Sequence, residues 1–399
     1  MYYGARSKRS LRVALMAMPS VSAPPRVLGS SAIVVAELAR ELRHLGHRPT
    51  VFTTIDRRFA SARTATPEAP NGEPDRLAEL RHASASWAEI AARGAFDVVH
   101  VHHPEALPFS RFVPVPTVAT VHHERHFSLS AHYAAHPDVA FVAVSQRQVE
   151  LSWEVPFRAV IHPGLDIERH PLGRGGERCA FVGTFTPDMG PHIAMEAARR
   201  ARVPLLLGGD PHASYLEYFE REIARRTKNG IAWAKSVDRR QRLELLAKSR
   251  CLLYPIQHED PFGLVMIEAM LVGTPVIAFA CGAAPEVVED GVTGFIVHHA
   301  EEMAHRIRDV ESIDRKACRA RARARWGSAR MAREYASVYV EAMDRYAAKE
   351  RTASCRRSDA FTPTSAAADE YSSVTLVPPE VDVLVCTMRG VPSATRPTR

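Results

Sequence analysis

The stretch Asp260-Pro-Phe-Gly-Leu-Val-Met-Ile-Glu268 carries the residue types best suited to chemistry in this chain. A strand is expected to end near Pro255, and the loop 256–261 then feeds a helix that begins near Phe262 or Gly263. The first amides of a helix have no partner within it and stand at the positive end of its dipole, so they can hold a phosphate. Gly263 has no Cβ and lets a ligand come close to the backbone. Ionised carboxylates only accept hydrogen bonds, so Asp260 and Glu268 can take charge-assisted bonds from the hydroxyls of a sugar or ribose. Each acid also has a plainer reading, Asp260 as the helix N-cap and Glu268 as an exposed helix residue.

A second set of candidates is the group His100, His102, His103, His122, His123 and His126, which ends two neighbouring strands. Neutral imidazoles gathered there could bind zinc, but the cysteine and carboxylate spacing of such sites is missing. One histidine contacting a ligand, with the rest partly exposed, fits better. No D-x-D metal motif occurs, and no metal or cofactor is expected. Trp153 and Trp233 read as packing residues.

Ligands of open α/β sheets bind beyond the carboxyl ends of the strands, so the surrounding elements decide whether these residues meet. Short apolar runs alternate with helical patterns along the chain, as in parallel sheets covered by helices. One series has strands at Val13–Met18, Thr50–Thr53, Val98–Val101, Val118–Val121 and Phe141–Val144, with a loop from Pro19 to Ser31. Val34, Leu38, Leu42 and Leu45 form a helical stripe that Gly46 stops. The polar stretch Arg57–Pro74 is expected to be loop. A second series runs through Cys179–Val182, Pro204–Leu207, Ile231–Trp233, Cys251–Pro255, Pro275–Phe279 and Phe295–Val297. Helices are expected at Ile193–Ala201, Tyr215–Lys228 and Arg239–Lys248.

The expected fold class is therefore α/β, with two Rossmann-like, doubly wound parallel-sheet domains facing a cleft. Residues 1–170 make the first domain and 171–328 the second, with a hinge near Pro163–Gly176. A C-terminal helix, 329–350, packs back toward the first domain. The tail 351–399, rich in Ser, Thr, Pro and Ala, is expected to be mostly disordered, with a stray strand at Val381–Val385. The six cysteines form no C-x-x-C pair, which points to reduced thiols in a cytoplasmic setting. The basic start is not followed by a long apolar segment, so no secretory signal is read, and no run reaches the roughly 18 apolar residues of a membrane helix. The net charge of +7 includes the helix Arg315–Arg325. Its basic face reads as solvated surface, with at most peripheral membrane contact, and nothing points to nucleic acid.

The run from Asp260 through Gly273-Thr-Pro-Val-Ile277 and Gly282-Ala-Ala-Pro-Glu286-Val-Val-Glu-Asp-Gly291-Val-Thr-Gly294-Phe resembles the donor-site signature of family 4 glycosyltransferases of the two-Rossmann-domain (GT-B) type. Weaker matches, such as Phe96-Asp-Val-Val-His100, Thr120-Val-His122 and Phe181-Val-Gly183, extend the likeness over about residues 11–345. The resemblance implies that Glu268, the second acid of an E-x7-E motif, holds the nucleotide ribose, and that Asp260 stands at the first, beside the sugar. It implies backbone contacts from Phe262, Gly263 and Leu264, a sugar contact from His122, and a diphosphate loop at Gly29. Gly183 and Thr184 would also face the donor.

Departures from the pattern accompany the match. Asp260 is shorter than the usual Glu, with Glu259 beside it, and Gly29-Ser30-Ser31 replaces a double glycine. Thr184 and Met189 stand where the family has Arg and Lys, the cations that neutralise the leaving diphosphate. Arg178, Arg239 and Arg240 are the candidates to replace them. The expected activity is transfer of a hexosyl group from a UDP-, GDP- or ADP-sugar to an acceptor hydroxyl, on a glycan or lipid-linked acceptor, with retention and without metal. The alternative is a catalytically impaired nucleotide-sugar-binding or regulatory protein on the same fold.

Overall fold

A computed structural model describes residues 9–18, 30–53, 62–63, 76–166 and 168–359. Gly29, most of the segments 19–31 and 57–74, and Val381–Val385 lie outside the described residues. The chain divides into two compact units, Met1–Lys349 and Glu350–Arg399. The first contains both sheets. Of the second, the described part is the helical end that stops at Asp359.

The first sheet is formed by β1 (Arg12–Met16), β2 (Arg48–Thr53), β3 (Ala62–Arg63), β4 (Val98–Val101), β5 (Thr117–Thr120), β6 (Ala140–Ala143) and β7 (Phe157–Val160). Its order is β3-β2-β1-β4-β5-β6-β7, and every pairing is parallel. The second is formed by β8 (Cys179–Val182), β9 (Leu205–Gly208), β10 (Ile231–Ala234), β11 (Leu252–Tyr254), β12 (Val276–Phe279) and β13 (Gly294–Val297), in the order β10-β9-β8-β11-β12-β13, again parallel. Strand order reverses between β1 and β4 and between β8 and β11, the two places where such sheets open a ligand crevice.

The helices are α1 (Ser30–His44), α2 (Arg76–Arg93), α3 (Phe127–Ala134), α4 (Gln146–Leu151), α5 (Pro191–Ala201), the single turn α6 (Leu216–Tyr218), α7 (Arg239–Ala247), α8 (Leu264–Leu271), α9 (Ala284–Val287), α10 (Ala300–Asp309), α11 (Arg315–Arg325) and α12 (Ser328–Asp359). The pleat sorts the first sheet's side chains. Val13, Leu15, Val98, Val118 and Val142 join one core cluster, whereas Ala14, Met16, Val99, Val101 and Phe141 join another on the opposite face. Both faces being covered explains why these strands read as continuous apolar runs. Helix α1 buries Val34, Leu38 and Leu42. Gly46, at φ +86°, closes it, with the Gly46 amide donating to Arg43 and the His47 amide to Leu42.

Four expectations need correction. Ser30 and Ser31 belong to α1 rather than to the preceding loop. Residues 62–63, inside the stretch read as loop, pair with Phe52 and Thr53 as β3. The helix expected at Tyr215–Lys228 is broken into short 3-10, α and π turns, which bury Tyr218, Phe219 and Ile223. Helix α12 runs on to Asp359, into the segment read as tail. Tyr335 and Tyr339 of α12 are buried, and their hydroxyls meet Thr120 Oγ1 at 2.7 Å and His100 Nδ1 at 2.8 Å. The last helix is thereby tied to the carboxyl ends of β4 and β5.

Candidate functional site

The second sheet delivers its site residues through the loops after β8 and β11. Gly183 and Thr184 leave β8, and Met189 precedes α5. From β11 the chain turns through 255–263 into α8. Gly263 enters α8 at φ +72°, a left-handed conformation that costs a residue with a Cβ roughly 1–2 kcal/mol. A Cβ there would also lie 2.6 Å from Met266 Cε and 2.8 Å from the Tyr254 hydroxyl. The sequence thus places glycine where backbone shape and crowding both require it.

These loops face α1 across a cavity of about 180 Å³. Asp260, Gly263, Leu264 and Glu268 line it together with Gly183, Thr184, Met189 and, from α1, Ile33. The two acids therefore share one cavity. A smaller cavity beside it, about 40 Å³, brings His122 and Val34 to Asp260, Phe262, Gly263 and Leu264. His122, Gly183, Thr184, Asp260, Phe262, Gly263, Leu264 and Glu268, the described residues that the resemblance placed at the donor, thus border one of two adjoining spaces.

The acids are held differently. Asp260 Oδ1 accepts from the amides of Phe262, at 3.1 Å, and Gly263, at 3.2 Å, while the Tyr254 hydroxyl donates to Oδ2. This is a turn ahead of the helix rather than the N-cap reading, because Gly263 is the N-cap of α8 and no side chain caps it; the Asp260 side chain stays at the cavity wall. Burial, and then the charge of Asp260, push the Tyr254 hydroxyl's pKa well above its ordinary value. Glu268 is 1% exposed, the opposite of an exposed helix residue. Its Oε1 accepts from Arg242 Nη2 at 2.8 Å, and Arg242 Nε lies 2.7 Å from Oε2. Arg239 Nε is 3.8 Å from Oε1, and its Nη2 donates to Glu37 of α1 at 3.3 Å. Burial raises the pKa of Glu37 against the opposing pull of Arg40 and Arg239.

Arg242 is the residue the sequence reading missed, and it is the one cation among the described residues of the larger cavity. A signal existed. Leu245 and Leu246 follow at helical spacing on the buried face of α7, so Arg242 falls in register with them. Of the three cations put forward, Arg239 reaches Glu268. Arg240 pairs with Glu244 on the surface, and Arg178 is not among the residues of either cavity. Glu259 is turned to the other lobe, where Arg147 meets it at 2.9 Å and 3.0 Å. Glu286 likewise accepts from the amides of Gln146 and Arg147 and pairs with His162.

Contrary to the expectation of partly exposed rings, His100, His102 and His103 are buried, and His100, His102 and His122 form a row. His102 Nδ1 lies 2.9 Å from His122 Nε2, and the His100 ring packs at a 38° tilt against His102 with centroids 4.1 Å apart. His100 Nε2 contacts Thr120 Oγ1 at 2.8 Å. Burial, then the neighbouring His123, lowers the His122 pKa to about 3, so this ring is neutral and a weak base. Among the described residues no three of His, Cys, Asp and Glu are gathered as a metal would need. Trp233 packs on Phe219 at 4.8 Å and donates to Gly209, away from the cavity walls.

Two family models match consecutive segments of the chain, Glycosyltransferase Family 4 over residues 31–169 and Glycosyl transferases group 1 over residues 166–326. The D-inositol 3-phosphate glycosyltransferase of Mycobacterium sp. (strain KMS) is 32% identical over 166 residues, 37% of this chain and 38% of that protein. The protein of that name from Streptomyces coelicolor is 29% identical over 215 residues, 44% of this chain and 43% of its own. The chain thus spans less than half the length of these curated relatives. Among solved structures, Anabaena HepE in complex with UDP and glucose superposes with a TM-score of 0.66 at 19% identity, covering 83% of this chain and 100% of that one. Sucrose-phosphate synthase from Thermosynechococcus elongatus gives 0.69 at 18% identity, covering 84% and 99%. At these identities the structural likeness is one of fold.

Proposed function

Because this chain belongs to the glycosyltransferases of the family 4, group 1 type, we propose that it transfers a hexosyl group from a nucleotide diphosphate sugar to an acceptor hydroxyl with retention of configuration. The observation that carries this reading is the shared cavity, where Glu268, Asp260, Thr184 and the start of α8 face α1 of the other lobe. The α8 amides suit the diphosphate, Glu268 the ribose, and His122 with Asp260 the sugar, in the adjoining space. The bond from the anomeric carbon to the acceptor oxygen forms as the bond to the diphosphate breaks. His122 is too weak a base to take the acceptor proton, so the proton passes to an oxygen of the departing diphosphate. Catalysis here comes from positioning and from stabilising charge on the leaving group, with no metal in the scheme. Anabaena HepE, named above with UDP and glucose, supports a nucleotide-sugar donor.

One feature favours a second reading, a protein that binds nucleotide-sugar but turns it over poorly. Thr184 can donate at most a single neutral hydrogen bond and Met189 none, while Arg242 is engaged by Glu268. A panel of UDP-, GDP- and ADP-sugars with glycan, lipid-linked and inositol phosphate acceptors separates the two. Nucleotide release that Glu268→Ala abolishes is the expected result. Tight binding with no release from any pair establishes the second reading instead. In this account the protein works on the cytoplasmic side, with at most peripheral membrane contact. No described helix is long and apolar enough to cross a membrane.

A further inference from the structure

We propose that Arg242 is the positioning residue for Glu268, fixing its carboxylate so that the lone pairs left free accept the adjacent 2′- and 3′-hydroxyls of the donor's ribose. The inference rests on the nucleotide-sugar reading above. Its starting point is the composition of α8, Leu-Val-Met-Ile-Glu-Ala-Met-Leu, in which Glu268 is the one charged residue and is 1% exposed. Arg242 is 4% exposed, on the buried face of α7 beside Leu245 and Leu246. A buried ion pair is often no more stabilising than apolar residues of similar volume, so packing alone does not account for these two charges. Both line the cavity, which gives them a ligand to serve.

The carboxylate's surroundings suit the ribose that the family resemblance assigns to Glu268. Arg242 Nη2 donates to Oε1 at 2.8 Å, and its Nε stands 2.7 Å from Oε2 as an ion-pair contact, so one guanidinium addresses both carboxylate oxygens. A carboxylate offers about four lone-pair sites, so each oxygen retains one that Arg242 leaves unused. Two acceptors on neighbouring oxygens match two hydroxyls on neighbouring carbons. Asp260 is less suited to this, because its Oδ1 already accepts from two amides, of Phe262 and Gly263, and only Oδ2, which takes the Tyr254 hydroxyl, keeps a lone pair. Arg239, 3.8 Å from Glu268 and bonded to Glu37, buttresses the same carboxylate from the side of α1.

The test is calorimetric titration of wild type and Arg242→Lys with UDP, GDP and ADP and with their 2′-deoxy and 3′-deoxy counterparts. For the nucleotide that binds, loss of a ribose hydroxyl weakens wild type by about tenfold, and Arg242→Lys weakens the ribonucleotide by about tenfold. The two losses do not multiply, and the deoxy nucleotide binds the variant within about twofold of the ribonucleotide. Should the lysine variant fail to fold, the neutral pair Arg242→Gln with Glu268→Gln is titrated, and the same indifference to the missing hydroxyl is expected. Wild-type affinity in Arg242→Lys, or full multiplication of the two losses, overturns the proposal while leaving the nucleotide-sugar reading intact. Failure of wild type to bind any of the nucleotides overturns both.

Discussion

At the scale of single residues, the site separates two acids that look alike in sequence. Asp260 is spent largely on its own loop and Glu268 is held ready by a guanidinium. Removing one partner of such a buried pair strands the other charge, so Arg242→Met should lower unfolding free energy by about 3–5 kcal/mol, measured by urea denaturation. Thr184 and Met189 face the same space as the α8 amides, so Thr184→Arg with Met189→Lys should raise turnover; no gain would show that other cations already serve the leaving group. The buried histidines make a pH prediction. His82 and His100 are lowered to about 4 and about 3, chiefly by burial, against an ordinary value near 6.5. The unfolded chain therefore binds more protons below about pH 6.5, and stability falls as pH drops from there toward 4. Each ring contributes on the order of 1 kcal/mol per pH unit, and His100→Gln should flatten the slope of a denaturation series accordingly.

At the scale of elements, what decided legibility was whether burial leaves a pattern. The strands of both sheets are covered on two faces, so their apolar runs located them to within a residue or two. Strand β7, Phe157–Val160, lies at a sheet edge and is half exposed, so no apolar run marks it. Helix α2 was invisible for a different reason. Its buried face keeps helical spacing through Trp87 and Ile90, but Ala78, Glu79, His82, Ala83 and Ser86 make its first part small or polar and the apolar signal weak. Asp260, Gly263 and Glu268 could be read because loop, turn and helix signals coincide there. Arg242 could not be placed until α7 was packed against α8. The entry to α8 gives a prediction at this scale. Gly263→Ala forces a Cβ into a left-handed turn against Met266 and Tyr254. It should cost about 1–2 kcal/mol in denaturation and weaken donor binding, because the α8 amides move with it.

At the scale of the whole first unit, charged contacts cross the cleft. Arg147 meets Glu259, the α4 amides meet Glu286, and Glu37 meets Arg239. Arg147 and Glu259 are both partly exposed, so Arg147→Ala should change unfolding free energy by less than about 1 kcal/mol in chemical denaturation. The cavity joins residues that follow β8 and β11 to Ile33 of α1, the helix that follows β1. The most direct measurement of the account is the melting temperature of wild type and Glu268→Ala with each of UDP-, GDP- and ADP-glucose. A ligand that binds only the folded state at about 100 times its dissociation constant adds about 2.7 kcal/mol. At least one donor should raise the wild-type melting temperature by several degrees and leave that of Glu268→Ala nearly unmoved. An equal rise in both proteins, or none with any donor, would contradict the claim that Glu268 grips a nucleotide-sugar in this cavity.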